Sequence, residues 1–345
     1  MPGKTIHKTP HHPWPPPKIQ LARYLPLLII IGLAVHLLLP QITSLENSFN
    51  VIRSMSLWLV SLAVIAQVCS YLGSGYLLKV IVDLGKSRLS VIRGALITLA
   101  AASIGLVAGG WVGAAASTYR WVEKSEDTSE EAALAGVLPL LFNNALLVII
   151  TVIGLVYLLI NHHLSPVQVV GYSLFLSVLG IGILVVIHAI QHQEMVEPLV
   201  LRIVNSLMHL IRRPNNPSHV RDALENIYSS LALLRKSGWV RPALGSTMNI
   251  CFDMLTLYFL FIASGYKVDL GVLMAGYGLA FLLGKVAFLF PGGVGVIESG
   301  MTAIYTNLGV PGPVSVVVIL SYRLFSFWIP SLLGFAITGY LQRTL

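Results

Sequence analysis

The sequence predicts an all-α, polytopic integral membrane protein, with about six full spans and two re-entrant helical hairpins arranged as an inverted repeat. Three observations lead there. The chain is 56% hydrophobic and only 10% charged, with mean hydropathy +0.81, whereas a soluble domain is about 25% charged. Its apolar residues gather in windows that reach the roughly 20 residues needed to cross a bilayer. Its positive charges fall on one side of the membrane only if two of those windows turn back instead of crossing.

Residues 1–23 carry Lys4, Lys8, Lys18, Arg23 and the run His11-His12-Pro13-Trp14-Pro15-Pro16-Pro17. Such a proline-rich segment reads as a disordered tail, here cytoplasmic. The apolar windows follow at 24–40, 56–80, 90–116, 133–160, 165–190, 243–264, 270–290 and 313–342. The window at 24–40 ends Leu37-Leu38-Leu39-Pro40 without a small-residue cleavage site, so it reads as a retained first helix.

The alternative, eight full spans, puts the loop 191–242 outside if the N-terminus is inside. That loop holds Arg202, Arg212, Arg213, Arg221, Arg235, Lys236 and Arg241, and Lys and Arg accumulate on the cytoplasmic side. The conflict disappears when the two windows containing glycine pairs are hairpins. The first is 90–125, broken at Gly109 and Gly110; the second is 270–305, broken at Pro291, Gly292, Gly293 and Gly295. Of the 22 Lys and Arg, Arg53 and Lys267 then lie outside and Lys285 and Arg323 within the membrane, and the remaining 18 lie on or near the cytoplasmic side.

This topology divides the chain at residue 160. Residues 24–160 form a first repeat and 161–345 a second of opposite orientation, a design found in transporters with broken helices at the midplane. Between them, Val220, Leu224, Ile227, Leu231 and Leu234 make one helical stripe after Pro217-Ser218, with Gly238 as a stop. The expected product is an amphipathic cytoplasmic helix in the connector 191–242.

Ionisable residues inside the apolar windows are the candidate functional groups, because an isolated charge at the bilayer centre costs about 2.5–3.5 kcal/mol on insertion scales. At about 1.5 Å rise per residue, Asp253 lies about 16 Å into its span and Arg323 about 15 Å. Asn249 shares the face of Asp253, one turn earlier. Lys285 and Glu298 lie on the two arms of the second hairpin, and Arg120 on the returning arm of the first. Ion pairs such as Glu298–Arg323 or Asp253–Lys285 would hold helices together, line a polar cavity, or both. The half-helix beginning after Gly293 is expected to aim its amides at an anion.

Other features carry less. Cys69 and Cys251 sit in apolar windows and form neither a disulfide framework nor a metal site. His36 and His188 read as packing residues. The acidic run from Glu123 to Glu131 reads as a solvated helix start. No phosphate-binding glycine loop, nucleophile elbow or metal-ligand spacing is present, so no enzyme, cofactor, metal or nucleic-acid function is expected.

The stretch Pro291-Gly292-Gly293-Val294-Gly295-Val296-Ile297-Glu298, followed by Arg323 in Leu320-Ser321-Tyr322-Arg323-Leu324-Phe325-Ser326-Phe327-Trp328, resembles the transmembrane region of lysylphosphatidylglycerol synthases. These are the bacterial multiple-peptide-resistance-factor proteins, whose membrane part is regarded as a lipid flippase. Tyr119-Arg120 and Asp253 in Asp253-Met254-Leu255-Thr256-Leu257-Tyr258 extend the likeness to nearly the whole chain, about 20–345. The resemblance implies re-entrant helices around a central polar cavity, with Arg120, Asp253, Glu298 and Arg323 at positions that serve lipid translocation. The bifunctional relatives continue into a soluble aminoacyl-transferase domain. This sequence stops at Leu345, so lipid lysylation is not expected of it. The expected function is movement of a lipid head group through the central polar cavity, with a membrane lipid as partner; the alternatives are a secondary transporter of a small anionic solute and a non-transporting lipid-binding accessory protein. A second copy of the chain, or a lipid-modifying enzyme, is compatible with the same reading. The expected location is the cell membrane, with both termini cytoplasmic.

Overall fold

The structure, a computed structural model, describes residues 45–84, 88–107, 110–126, 129–161, 164–192, 194, 198, 201–202, 238–286 and 295–344. The window 24–40, most of the connector with its helix at 218–236, and the breaks at Gly109 and Pro291–Gly293 lie outside them. Every regular element among the described residues is helical.

In chain order the helices are α1 (Leu45–Ser54), α2 (Leu57–Val82), α3 (Val91–Val107), α4 (Trp111–Glu126), α5 (Ser129–Asn161) and α6 (Pro166–Gln191). After the connector come α7 (Val240–Ala263), α8 (Leu270–Val286), α9 (Val296–Asn307), α10 (Gly312–Arg323) and α11 (Ile329–Thr344). A π-helical turn, Leu324–Trp328, joins α10 to α11 without interrupting the span.

Five helical stretches are long and apolar enough to cross a membrane: Leu57–Val82, Leu134–Asn161, Pro166–Ala189, Val240–Ala263 and Gly312–Arg343. They coincide with five of the six windows expected to cross. The windows 90–116 and 270–290 yield shorter helices. The 17 residues of α3 and the 17 of α8 reach about 25 Å at 1.5 Å per residue, short of a core roughly 30 Å thick. Each packs against its successor, α3 on α4 and α8 on α9.

Local chemistry sets the ends. Ser165 and Gln168 form a reciprocal cap on α6, with Pro166 in the first turn where its missing N–H costs nothing. The Gln168 side chain also donates to the Asn307 carbonyl at the end of α9, 2.8 Å away. Asp269 Oδ1 accepts from the Gly271 amide at the start of α8. Gly110 and Gly295 take φ of +66° and +82°, where a Cβ is penalised and glycine is not.

The centre of the fold is the α2–α7 pair. Gly73 faces Asn249 and Gly245 faces Leu77, so closely that a Cβ on either would lie 2.6 or 2.7 Å from backbone atoms. Residue numbers rise along one helix as they fall along the other, so the pair is antiparallel. Small residues permit such approach where apolar burial against lipid supplies little drive. Further contacts join α5 to α8, seated at Gly154, and α11 to α3, seated at Gly334 against Leu99 and Ser103. One core gathers Leu257, Leu260, Phe261, Tyr305 and Tyr322. A second gathers Ile97, Ala100, Val122, Ala132 and Leu341. By contrast, none of the apolar window of α6 is buried.

The α2–α7 seat makes a direct prediction. Gly73→Val should cost about 1–3 kcal/mol of stability through overpacking, seen as earlier thermal unfolding of the purified protein. Gly171→Val on α6, where nothing lies within 4 Å, should unfold with the wild type. Equal unfolding of both variants and the wild type would mean the two helices are not held at this distance.

Candidate functional site

A group of polar side chains in the apolar interior converges on one layer, near the middle of α2 and α7 and beside Tyr322 and Arg323 of the span Gly312–Arg343. Asp253 is its focus. Gln67 Nε2 of α2 donates to Asp253 Oδ1 at 3.0 Å. Tyr277 of α8 and Tyr322 of α10 both donate to Oδ2, at 2.7 and 2.5 Å. Gln67, Tyr277 and Tyr322 are all buried. One carboxylate thus ties three helices to α7, each through a neutral donor.

The next residue, Arg323, turns to α9. Its Nε donates to Glu298 Oε1 at 2.7 Å, and its guanidinium lies 4.0 Å over the Phe327 ring. Arg323 is 3% and Glu298 4% exposed, so the pair is removed from solvent and each charge depends on the other. Glu298 has a second task. Its Oε2 accepts from the Gly295 amide at 2.7 Å, closing the first turn of α9 where a carboxylate also meets the positive end of the helix dipole. The Gly295 amide is therefore occupied by the chain's own carboxylate.

The π turn belongs to the same layer. Its wide ring is closed by the Ile329 amide on the Leu324 carbonyl, and the Ser326 carbonyl accepts from Tyr71 Oη of α2 at 2.7 Å. Turns of this kind are rare and concentrate at functional sites.

The expected residues separate into two groups. Glu298 and Arg323 meet, and Asp253 stands beside them. The proposed Asp253–Lys285 pair is replaced by Asp253 with Gln67, Tyr277 and Tyr322. Tyr277 is the α8 residue at Asp253, and Lys285 lies eight residues further, about 12 Å along the helix. Lys285 is exposed there, and Arg120 is exposed on α4. Asn249 serves the α2–α7 seam, its Oδ1 accepting from Ser70 Oγ at 3.0 Å. Asn143, similarly, accepts from Ser246 and links α5 to α7.

Sequence reasoning missed Gln67, Tyr71, Tyr277 and Tyr322. Gln67 left a signal, an amide within an otherwise apolar run. The tyrosines left little, because their rings fit apolar windows and their hydroxyls act only across long sequence distances.

Comparison with known proteins agrees with this architecture. A UPF0104 membrane protein of Methanocaldococcus jannaschii is 31% identical over 119 residues, 34% of this chain and 35% of that protein. One from Methanothermobacter thermautotrophicus is 29% identical over 150 residues, 40% of this chain and 43% of that one. A third, from Pyrococcus horikoshii, is 36% identical over 100 residues, 26% of this chain and 28% of its own length. The matched stretches thus span less than half of each relative. The family model described as the lysylphosphatidylglycerol synthase TM region matches residues 27–334. A multi-pass helical chain with its polar residues drawn into one layer, matched over nearly its whole length by that model, belongs to the family of the lysylphosphatidylglycerol synthase TM region.

Proposed function

We propose that this protein moves lipid head groups across the membrane, acting as a lipid flippase or scramblase and not as an enzyme. The observation that carries this reading is the buried Arg323, held by Glu298 beside the Asp253 cluster. An arginine at that depth suits bidentate phosphate binding, and its carboxylate partner keeps it neutralised when no phosphate is there. Exposed Lys285 and Arg120, on the two hairpins, would receive the head group at the surface. Asp253 and Glu298 would contact an amine or hydroxyl of the head group, while the acyl tails stay in lipid.

The same reading assigns topology. Residues 24–160 and 161–345 are two repeats of opposite orientation, and α3–α4 and α8–α9 are re-entrant hairpins that open to opposite sides. Supporting it are the antiparallel α2–α7 pair, the crossed contacts α5–α8 and α3–α11, and the short arms of both hairpins. The location is the cell membrane, with both termini in the cytoplasm, as the distribution of Lys and Arg favours. An enzyme that modifies lipid head groups is the protein partner this role fits.

The test is movement of fluorescent lipids between leaflets in proteoliposomes. The protein should accelerate it for at least one phospholipid class, and Arg323→Gln should remove the acceleration. Rates equal to empty vesicles across anionic, zwitterionic and cationic head groups would overturn the proposal.

A further inference from the structure

Asp253 is the charge that the ion pair leaves over. Counted formally, Asp253 and Glu298 against Arg323 give the layer one net negative charge. The elements packed on α7 present the following groups to Asp253: Gln67 and Tyr71 from α2, Tyr277 from α8, and Tyr322 with neighbouring Arg323 from α10. The tyrosine of α5, Tyr157, is engaged elsewhere, with Asp269 at the start of α8.

The three hydrogen bonds to Asp253 come from donors, and an ionised carboxylate, which only accepts, takes all three. Gln67 differs from the tyrosines because its amide donates at one end and accepts at the other. Its Oε1 is buried without a hydrogen-bond partner among the described residues, on a side chain 5% exposed. Buried acceptors are rarely left so. Half a turn of the amide exchanges its two ends within the same space. Oε1 then faces Asp253 Oδ1 and accepts from it if that oxygen carries a proton. Tyr277 and Tyr322 donate to Oδ2 in either state. The site therefore satisfies both forms of the aspartate: Nε2 inward for the carboxylate, Oε1 inward for the acid.

We infer that Gln67 and Asp253 form a proton-binding switch. One proton from water adds to Asp253 Oδ1, the Gln67 amide turns to accept it, and the net charge of the layer passes from one negative to none. Release of the proton reverses each step, and the only bond made or broken is O–H. Because uncompensated charge in an apolar interior is costly, the two states of the layer differ in what they tolerate beside Arg323. Linkage of the switch to head-group movement rests on the proposed function; proton binding itself does not.

Infrared difference spectroscopy of the full chain in lipid nanodiscs, between alkaline and acidic buffer, tests the site without any transport assay. A carboxylic-acid carbonyl band should appear on acidification, together with an amide signal. Asp253→Asn should abolish the acid band. Tyr322→Phe, which removes one hydrogen bond to Oδ2, should move it to higher wavenumber and serves where the Asn variant does not fold. Gln67→Leu should abolish the amide signal. A spectrum without an acid band sensitive to Asp253 or Tyr322 overturns the proton site, and an acid band without the Gln67 signal overturns the switch. In proteoliposomes, a pH difference across the membrane should change the lipid rate in wild type and not in Asp253→Asn. A rate indifferent to pH, with the acid band present, overturns the linkage alone. Absence of lipid movement at every pH overturns the lipid reading, and the spectra still decide the proton site.

Discussion

Arg323→Leu is expected to cost about 3–5 kcal/mol of stability, the range for breaking a buried ion pair from one side. Glu298 would be left at 4% exposure with one hydrogen bond, from the Gly295 amide. The paired variant Glu298→Gln with Arg323→Met should recover most of the loss, because no charge is stranded and the glutamine oxygen still accepts from Gly295. Exchanging the two residues, Glu298→Arg with Arg323→Glu, should recover much less. An arginine at 298 has no acceptor for that amide, so the first turn of α9 would lose its closure. Thermal unfolding of the four proteins in one detergent measures the order. A charge-exchanged variant as stable as the wild type would mean that capping by Glu298 is of no account. Lipid movement separates structure from function. If Arg323 binds phosphate, the recovered Gln/Met variant should fold and not transport. Transport at the wild-type rate would reduce the pair to a structural tie.

The second large effect is expected at Asp253. Asp253→Ala leaves Gln67 Nε2, Tyr277 Oη and Tyr322 Oη without their common acceptor. Each buried donor so stranded costs about 1–3 kcal/mol. The alanine variant should therefore be much less stable than Tyr277→Phe or Tyr322→Phe, each of which removes only one bond. It should also be less stable than Asp253→Asn, which keeps an acceptor oxygen. Equal melting of Asp253→Ala and Tyr277→Phe would contradict the picture of one carboxylate tying three helices to a fourth.

These two sites differ in how far they could be read from the sequence. The five described spans were legible because largely apolar stretches of 24–32 residues leave a strong local signal, and the break before α4 because Gly109-Gly110 interrupts one. Glu298 and Arg323 were legible because charge is rare within apolar windows; rise per residue placed Arg323 near the midplane, and the glycine break drew attention to Glu298. The surroundings of Asp253 were not. Its partners lie 24, 69 and 186 residues away, and nothing local tells a tyrosine that packs from one that donates. The nearest cation along the second hairpin, Lys285, was the natural partner by charge. Helix geometry overrode charge by bringing Tyr277 to Asp253 instead. The π turn was also illegible, since Leu324–Trp328 contains neither the proline nor the glycine that usually announces irregular backbone.

That turn has a consequence for the whole span. An α-helix advances about 100° per residue, so the one residue by which the wide ring exceeds an ordinary turn resets the phase of everything after it. Upstream of the turn, α10 presents Tyr322 to α7 and Arg323 to α9; downstream, α11 presents Gly334 to Leu99 and Ser103 of α3. A single span is thereby indexed to two sets of partners, α7 and α9 above the turn and α3 below it. Winding Leu324–Trp328 as ordinary α-helix with every residue kept would swing Gly334 about 100° off its seat, whereas deleting one residue there narrows the ring and leaves Gly334 in phase. The width of this one turn therefore sets the register of the span.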